Sequence, residues 1–580
     1  MRRKMNVASV VLSIIIAASS VCGCGGSTHE TATTAQETYT TESTSDQTYY
    51  EEPAAATEYY EEEACEAPAA TADKSAAGAE NSYETAMCET EDCTDIYDPY
   101  VQEYNTESYE KPAENGYDLV TAKPLSTFAA DVDTASYSNV RRMIEDGYSL
   151  TDINPSAVRP EEFINYFSYD LNNPVGDEKF GITTEIAKCP WNEDHELMFV
   201  GMKTRDIDLS EAPDSNLVFL VDVSGSMDEP DKLPLLQKSL TELVDTLPDK
   251  GCVSIVTYSG QEAVLLSGTS MKNKSKIKDA IDSMQASGCT NGEAGIQKAY
   301  KIAENNFIKG GINRIIMCTD GDLNVGVSNP DDLEKLIEQK RDKGIFLSVL
   351  GFGSGNLKDD NLERLADCGN GNYSYIDSLF EGKKVLIDEM GSTLVTVAKD
   401  VKLQVEFNPE RVNSYRLIGY ENRLMNDEDF NDDTKDGGEI GAGHSVVALY
   451  EIIPAGAKSE IKLKYQDNDS DNKKEDNRKK DSDSAYSDEY ATVSVRYKEP
   501  EADKSQLFSV VVGDKDFYEN GSENLKFAGI VAEFAMILSD SEYKGTATLT
   551  GIMDDYKTIE TKDEYRDEFG QLVRMMAKRS

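Results

Sequence analysis

The chain has 580 residues, enough for several domains, with 108 acidic against 58 basic side chains and a formal net charge of −50. Such a surface is repelled by nucleic acid and by anionic lipid headgroups, which excludes a nucleic-acid partner and leaves membrane contact to an anchor alone. It suits divalent cations and basic partners, although acidic tails and surfaces that keep a protein in solution account for most of the charge.

The first feature in chain order is a targeting segment. Arg2, Arg3 and Lys4 precede an apolar run from Val7 to Val21, shorter than the ~20 residues a membrane span requires. Val21-Cys22-Gly23-Cys24 follows. It resembles a bacterial lipobox, in which a small residue precedes the cysteine that is lipidated and becomes the new N-terminus. Gly23 precedes Cys24, whereas bulky Val21 precedes Cys22. Residues 1–23 are therefore the expected signal peptide and Cys24 the expected lipidation site. The mature protein is expected to be exported and lipid-anchored to the cell membrane at its extracytoplasmic face.

Residues 24–116 are rich in Glu, Thr, Ala, Ser and Tyr, and Lys74 and Lys111 are their only basic residues. Too little apolar surface is present to fold, so this is expected to be a disordered acidic tether. About 90 such residues reach on the order of 50–60 Å, which holds the folded part off the membrane. Cys65, Cys88 and Cys93 lie here and can pair after export. The 10 cysteines show no CxxC pair and no framework spacing.

Folded character is expected from Tyr117. Residues 117–213 read as an α+β flanking region, with helices at Thr134–Gly147 and Pro160–Phe167 and strands at Gly181–Ala187 and Leu197–Lys203. From 214 to 399 strands and helices alternate. Asn216–Val221, Val253–Tyr258, Ile312–Cys318 and Phe346–Leu350 are apolar without alternation, as expected of strands buried on both faces of a parallel sheet. Between them, Lys232–Leu247 places Leu233, Leu236, Leu240, Leu243 and Leu247 on one stripe. This alternation predicts an α/β fold class, with a central doubly wound, mostly parallel, Rossmann-like sheet that binds ligands beyond its carboxyl strand ends. A last helix is expected over Phe380–Ala398. Residues 400–580 read as β-rich, with strands at Val401–Phe407, Ser445–Ile452 and Ala491–Tyr497. A charged, disordered insertion is expected at 466–490, and terminal helices at Asn524–Leu538 and Asp563–Lys578. Strands on both sides of the centre raise the expectation that the flanks form one module into which the central domain is inserted.

Three segments fall at strand ends or between elements of the centre. Asp222-Val-Ser224-Gly-Ser226 follows the first strand, Gly288-Cys-Thr290-Asn-Gly292 precedes a helix, and Thr319-Asp320-Gly321 follows the third strand. Together they resemble the metal-ion-dependent adhesion site (MIDAS) of von Willebrand factor A (VWA) and integrin I domains. The resemblance implies that Ser224, Ser226 and Thr290 offer neutral hydroxyl oxygens, while Asp222 and Asp320 act largely through water and hydrogen bonds. Magnesium, or manganese or calcium in its place, takes about six oxygens. An ion held mainly by neutral ligands stays electrophilic and accepts one more carboxylate, from a partner protein that presents an acidic side chain. Asp228 and Glu229 stand close enough for a second ion, but read as a solvated helix entry.

Phe128–Arg142 and Arg159–Phe167 resemble the N-terminal flank of the YfbK-like VWA lipoproteins, and the region after Lys399 their C-terminal domain. The implied function is metal-dependent protein binding at the cell envelope, not catalysis. Two rivals remain. One is a scaffold whose metal is closed to outside ligands. The other is a magnesium-dependent phosphotransferase at Asp131-Val-Asp133, with Asp131 as nucleophile; there, however, a helix starts at once and Asp133 reads as its cap. The three histidines, His29, His195 and His444, have neither zinc nor triad spacing.

Overall fold

The structure, a computed structural model, describes residues 105–110, 113–207, 212–288, 290, 292–321, 330–435, 437–457, 486–500 and 502–580. Cys24, the signal segment and most of the expected tether lie outside them. So does the expected insertion, except for its last residues. No described helix is long and apolar enough to cross a membrane.

The ordered chain begins before Tyr117. Thr106–Tyr109 forms a strap along the loop Gly353–Lys358. Thr106 N donates to Gly355 O at 2.7 Å and Ser108 N to Leu357 O at 3.0 Å, a short parallel bridge between Ser108 and Lys358. Composition missed this strap because it is held largely by backbone bonds and by Glu107, whose carboxylate accepts from Arg142 and from Gly355 N, with Tyr109 alone packing against the helical core.

Strands β1 (Asp118–Leu119), β2 (Leu125–Ala129), β3 (Phe180–Lys188) and β4 (Glu196–Thr204) precede the centre. The centre contributes β5 (Ser215–Asp222), β6 (Cys252–Tyr258), β7 (Glu262–Ser270), β8 (Ile312–Thr319), β9 (Phe346–Phe352) and β10 (Tyr373–Ile376). After it come β11 (Thr396–Phe407), β12 (Val412–Ile418), β13 (Gly438–Gly441), β14 (Ser445–Pro454), β15 (Glu489–Lys498) and β16 (Ser505–Gly513). Glu489 and Tyr490 thus belong to β15, not to the insertion.

The central sheet has the order β10-β9-β8-β5-β6-β7. All neighbours are parallel except the edge pair β6 and β7. Both faces of β5 are buried: Leu217, Phe219 and Val221 point into one apolar layer and Val218 and Leu220 into the other. The chain leaves β5 for β6 on one side and reaches β8 on the other. The carboxyl ends of β5 and β8 therefore flank a topological switch point.

The flanks are not two domains. One sheet runs β1-β12-β14-β4-β3, so strands from after the centre lie between strands from before it, and β2 pairs with β11 in the other. The two sheets close over a shared core that includes Phe128, Met198, Val200, Leu403, Phe407 and Tyr450. Leu197 and Phe199, the alternate residues of β4, face a second core of helices. There Pro160–Asn165, Glu523–Leu538, Leu549–Tyr556 and Glu564–Ala577 bring together Phe163, Phe167, Phe527, Phe534 and Phe569. Burial on both faces is why β4 shows no hydrophobic alternation.

The last central helix is shorter than expected and broken. It runs Leu379–Lys383, passes through a π-turn at Lys384–Asp388 and ends with Met390–Leu394. Thr396 already opens β11. Gly391 and the β-branched residues Thr393, Val395, Thr396 and Val397 disfavour continuation. Lys384 is held at the turn, its ammonium 4.4 Å from the Tyr166 ring centroid and bonded to Glu389.

Candidate metal centre

Strand β5 carries Asp222 to the switch point, where it is fully buried. Its Oδ1 accepts from Ser224 N at 2.8 Å, an Asx turn that folds the chain back immediately after the strand. The turn sets the Ser224 and Ser226 hydroxyl oxygens 3.1 Å apart. Gly225 between them donates to Gly288 O at 3.0 Å. A Cβ at Gly225 would meet that oxygen at 3.4 Å, so a small residue lets the two loops dock. Thr290, two residues beyond Gly288, is buried. From β8, Thr319 donates its hydroxyl to Asp222 Oδ2 at 3.3 Å, and Asp320 follows, fully buried.

The two carboxylates differ. Burial pushes Asp222 up to about 6, against the hydrogen bonds from Ser224. Burial also raises Asp320, but the Asn356 amide, the Lys232 ammonium and the Ser226 hydroxyl outweigh it and hold the group below the usual carboxylate range. Lys232 Nζ lies 3.1 Å from Asp320 Oδ2 and 3.3 Å from Asn356 Oδ1.

The donor set suits a hard divalent cation. Adjacent ligands of an octahedral magnesium with ~2.1 Å bonds stand about 3.0 Å apart, and the two serine hydroxyls stand 3.1 Å apart. Asp228 and Glu229 are exposed at the rim, in keeping with a solvated helix entry. Lys232 and Asn356 are the residues of the centre that motif reading overlooked, and Thr319, named in its segment, gains a role as donor to Asp222. Lys232 had left a signal: it caps the helix Leu233–Thr246 at its N-terminus, where a cation opposes the helix dipole unless an anion holds it.

Asp131 and Asp133 form a different arrangement. They line a cavity of about 700 Å³ together with Asp367, but Arg423 stands where a metal would have to go. Its guanidinium reaches Asp131 at 3.1 Å, Asp133 at 3.3 Å and Asp367 at 2.7 Å. Asp133 also accepts from Tyr373 N at 2.8 Å, so it ties the helix Ala135–Glu145 to β10 instead of capping it. Burial and the neighbouring Asp131 push Asp133 well above the carboxylate range. The two described histidines lie elsewhere: His195 pairs with Glu451 at 2.6 Å, and burial lowers His444 to about 4; His29 lies outside the described residues.

The von Willebrand factor type A domain family matches residues 216–388, the YfbK C-terminal family residues 392–578 and a further von Willebrand factor family residues 103–199. The uncharacterised protein YfbK of Escherichia coli (strain K12) is 41% identical over 482 residues, 81% of each chain. The voltage-dependent calcium channel subunit alpha-2/delta-2 of Mus musculus is 27% identical over 235 residues, 38% of this chain and a fifth (20%) of that one. A solved structure of proximal thread matrix protein 1 from the mussel byssus, with a zinc-occupied MIDAS motif, has a TM-score of 0.26 and 23% identity, covering 32% of this chain and 46% of that one.

Proposed function

The chain belongs to the YfbK family, with a central domain of the von Willebrand factor type A fold, and on that premise we propose that it binds partner proteins through a divalent metal ion at the switch point. The observation that carries this reading is the pair of neutral hydroxyls at octahedral edge spacing. Among the described residues two buried carboxylates accompany them, Asp222 and Asp320, and Asp320 is paired with a lysine. A bound magnesium there would act as a Lewis acid for one outside oxygen ligand. The chain's own residues do the rest. Ser224, Ser226 and Thr290 hold the ion with neutral oxygens, Asp222 and Asp320 fix their orientation, and the buried sheet excludes water from behind.

The ligand proposed is a glutamate or aspartate of a partner protein, reached from an exported chain anchored through Cys24. A pull-down from envelope extract tests this, with magnesium, with chelator and with Asp222→Asn. Retention by the metal-loaded wild type alone is the expected result. Equal retention in all three cases sinks the proposal and leaves the metal a structural role.

A further inference from the structure

The hydroxyl-and-carboxylate motif does not account for Lys232. Its side chain is 7% exposed and its ammonium faces Asp320 and Asn356. The stem passes under Gly353, which has φ +71°, and a Cβ there would lie 2.2 Å from Lys232 Cε. The backbone is thus shaped to let this side chain through. Burying an ammonium costs stability, and setting it at a helix N-terminus adds to that cost. The charge of Asp320 is what offsets both. Asn356, the second partner, sits in the loop that the strap pins through Gly355 and Leu357.

We propose that Lys232 is a built-in counter-cation that keeps the metal centre short of negative charge and so makes it select an anionic ligand. This rests on the metal-dependent reading above. Asp222 and Asp320 together carry two negative charges and Lys232 removes one of them. A divalent ion in the centre then leaves a net charge of about +1, which a partner carboxylate cancels. Without Lys232 the ion and the two carboxylates already balance. The ion is then held harder and attracts a further carboxylate less. Lys232 is a positioning residue: it acts through Asp320 and sets affinity by charge.

The test is metal binding by the full-length chain, read by calorimetry with Mn2+ and by luminescence with Tb3+. Lys232→Met should tighten Mn2+ about tenfold and Tb3+ about thirtyfold, because the interaction scales with ion charge. Lys232→Gln, which keeps a donor for Asp320, should do the same and guards against a misfolded Met variant. Lys232→Arg should return wild-type affinity. Acetate should raise Mn2+ affinity more in the wild type than in either neutral variant, since the two ligands are linked. Unchanged or weaker Mn2+ binding in both folded neutral variants overturns the inference, and so does an equal change for the two ions. If the wild type and every variant bind no metal, the functional reading falls and takes the inference with it. A wild type that binds metal beside variants that bind it equally well removes the inference alone.

Discussion

Two clusters of buried acids sit in this molecule, and they differ in who supplies the cation. At the seam between the central domain and the flanks, arginines fill the space. Arg423 bridges Asp131, Asp133 and Asp367, Arg159 holds Asp359 at 2.6 Å and bonds Glu162, and Arg141 holds Asp377 and Glu381. At the switch point the described residues place two buried acids, with hydroxyls beside them and Lys232 to one side. The seam is closed by its own guanidiniums, while the switch point is left with oxygens for an ion from outside. A count of carboxylates therefore says little about function; how much of their charge the chain's own cations already meet says more.

The largest effect that would sharpen this contrast is at Arg423. Arg423→Ala leaves three carboxylates without their counter-charge and should cost about 3–5 kcal/mol in urea denaturation. A loss below about 1 kcal/mol would mean that the seam is not held by charge. At the switch point the expected pattern is reversed. Asp222→Asn keeps an oxygen for Ser224 N and puts an amide donor at the Oδ2 position, facing the Thr319 hydroxyl, which can turn to accept, so stability should change by no more than about 1 kcal/mol, while metal affinity falls about ten- to a hundredfold by calorimetry.

A smaller effect separates the two clusters by pH. Burial pushes Glu363 up to about 8, despite Arg159. The folded state then binds this proton more tightly than the unfolded chain does. Its contribution to stability is full below the ordinary glutamate value of about 4.5 and is lost as pH rises toward 8. Glu363→Gln should flatten the fall in metal-free stability between pH 5 and pH 8 by on the order of 3 kcal/mol. An unchanged slope would show that Glu363 keeps an ordinary affinity for its proton. The smallest effect is at Asp131. Asp131→Asn should leave Mn2+ affinity within about a factor of two, because Arg423 already occupies that site. A loss as large as that of Asp222→Asn would erase the distinction between the clusters.

Much of the centre was legible because its residues follow buried strands. Asp222 stands one step and Asp320 two steps past an apolar run, and β5 declares itself by lacking alternation. Lys232 was harder to read. Its meaning lies in a pairing with Asp320 across the switch point, and only its awkward place at a helix start betrayed it. The strap at Thr106–Tyr109 was hidden for another reason: backbone hydrogen bonds leave no mark in composition. The last helix was overextended because Val385, Leu386, Met390 and Leu394 keep a helical spacing through the π-turn. Strand β16 was missed altogether, its Leu507 and Val511 being exposed at a sheet edge.

The interleaving of the flanks also sets an order of assembly. Val200 pairs with Ala448 and Phe128 with Leu403, so neither meets its neighbour until the whole central domain has been translated. The central sheet, by contrast, draws only on its own contiguous strands. Pairings distant in sequence form slowly. The insert therefore matures first, and the hairpin of β3 and β4 waits beside it with a bare edge. Strand β14, translated well after the insert, decides whether that edge is ever covered.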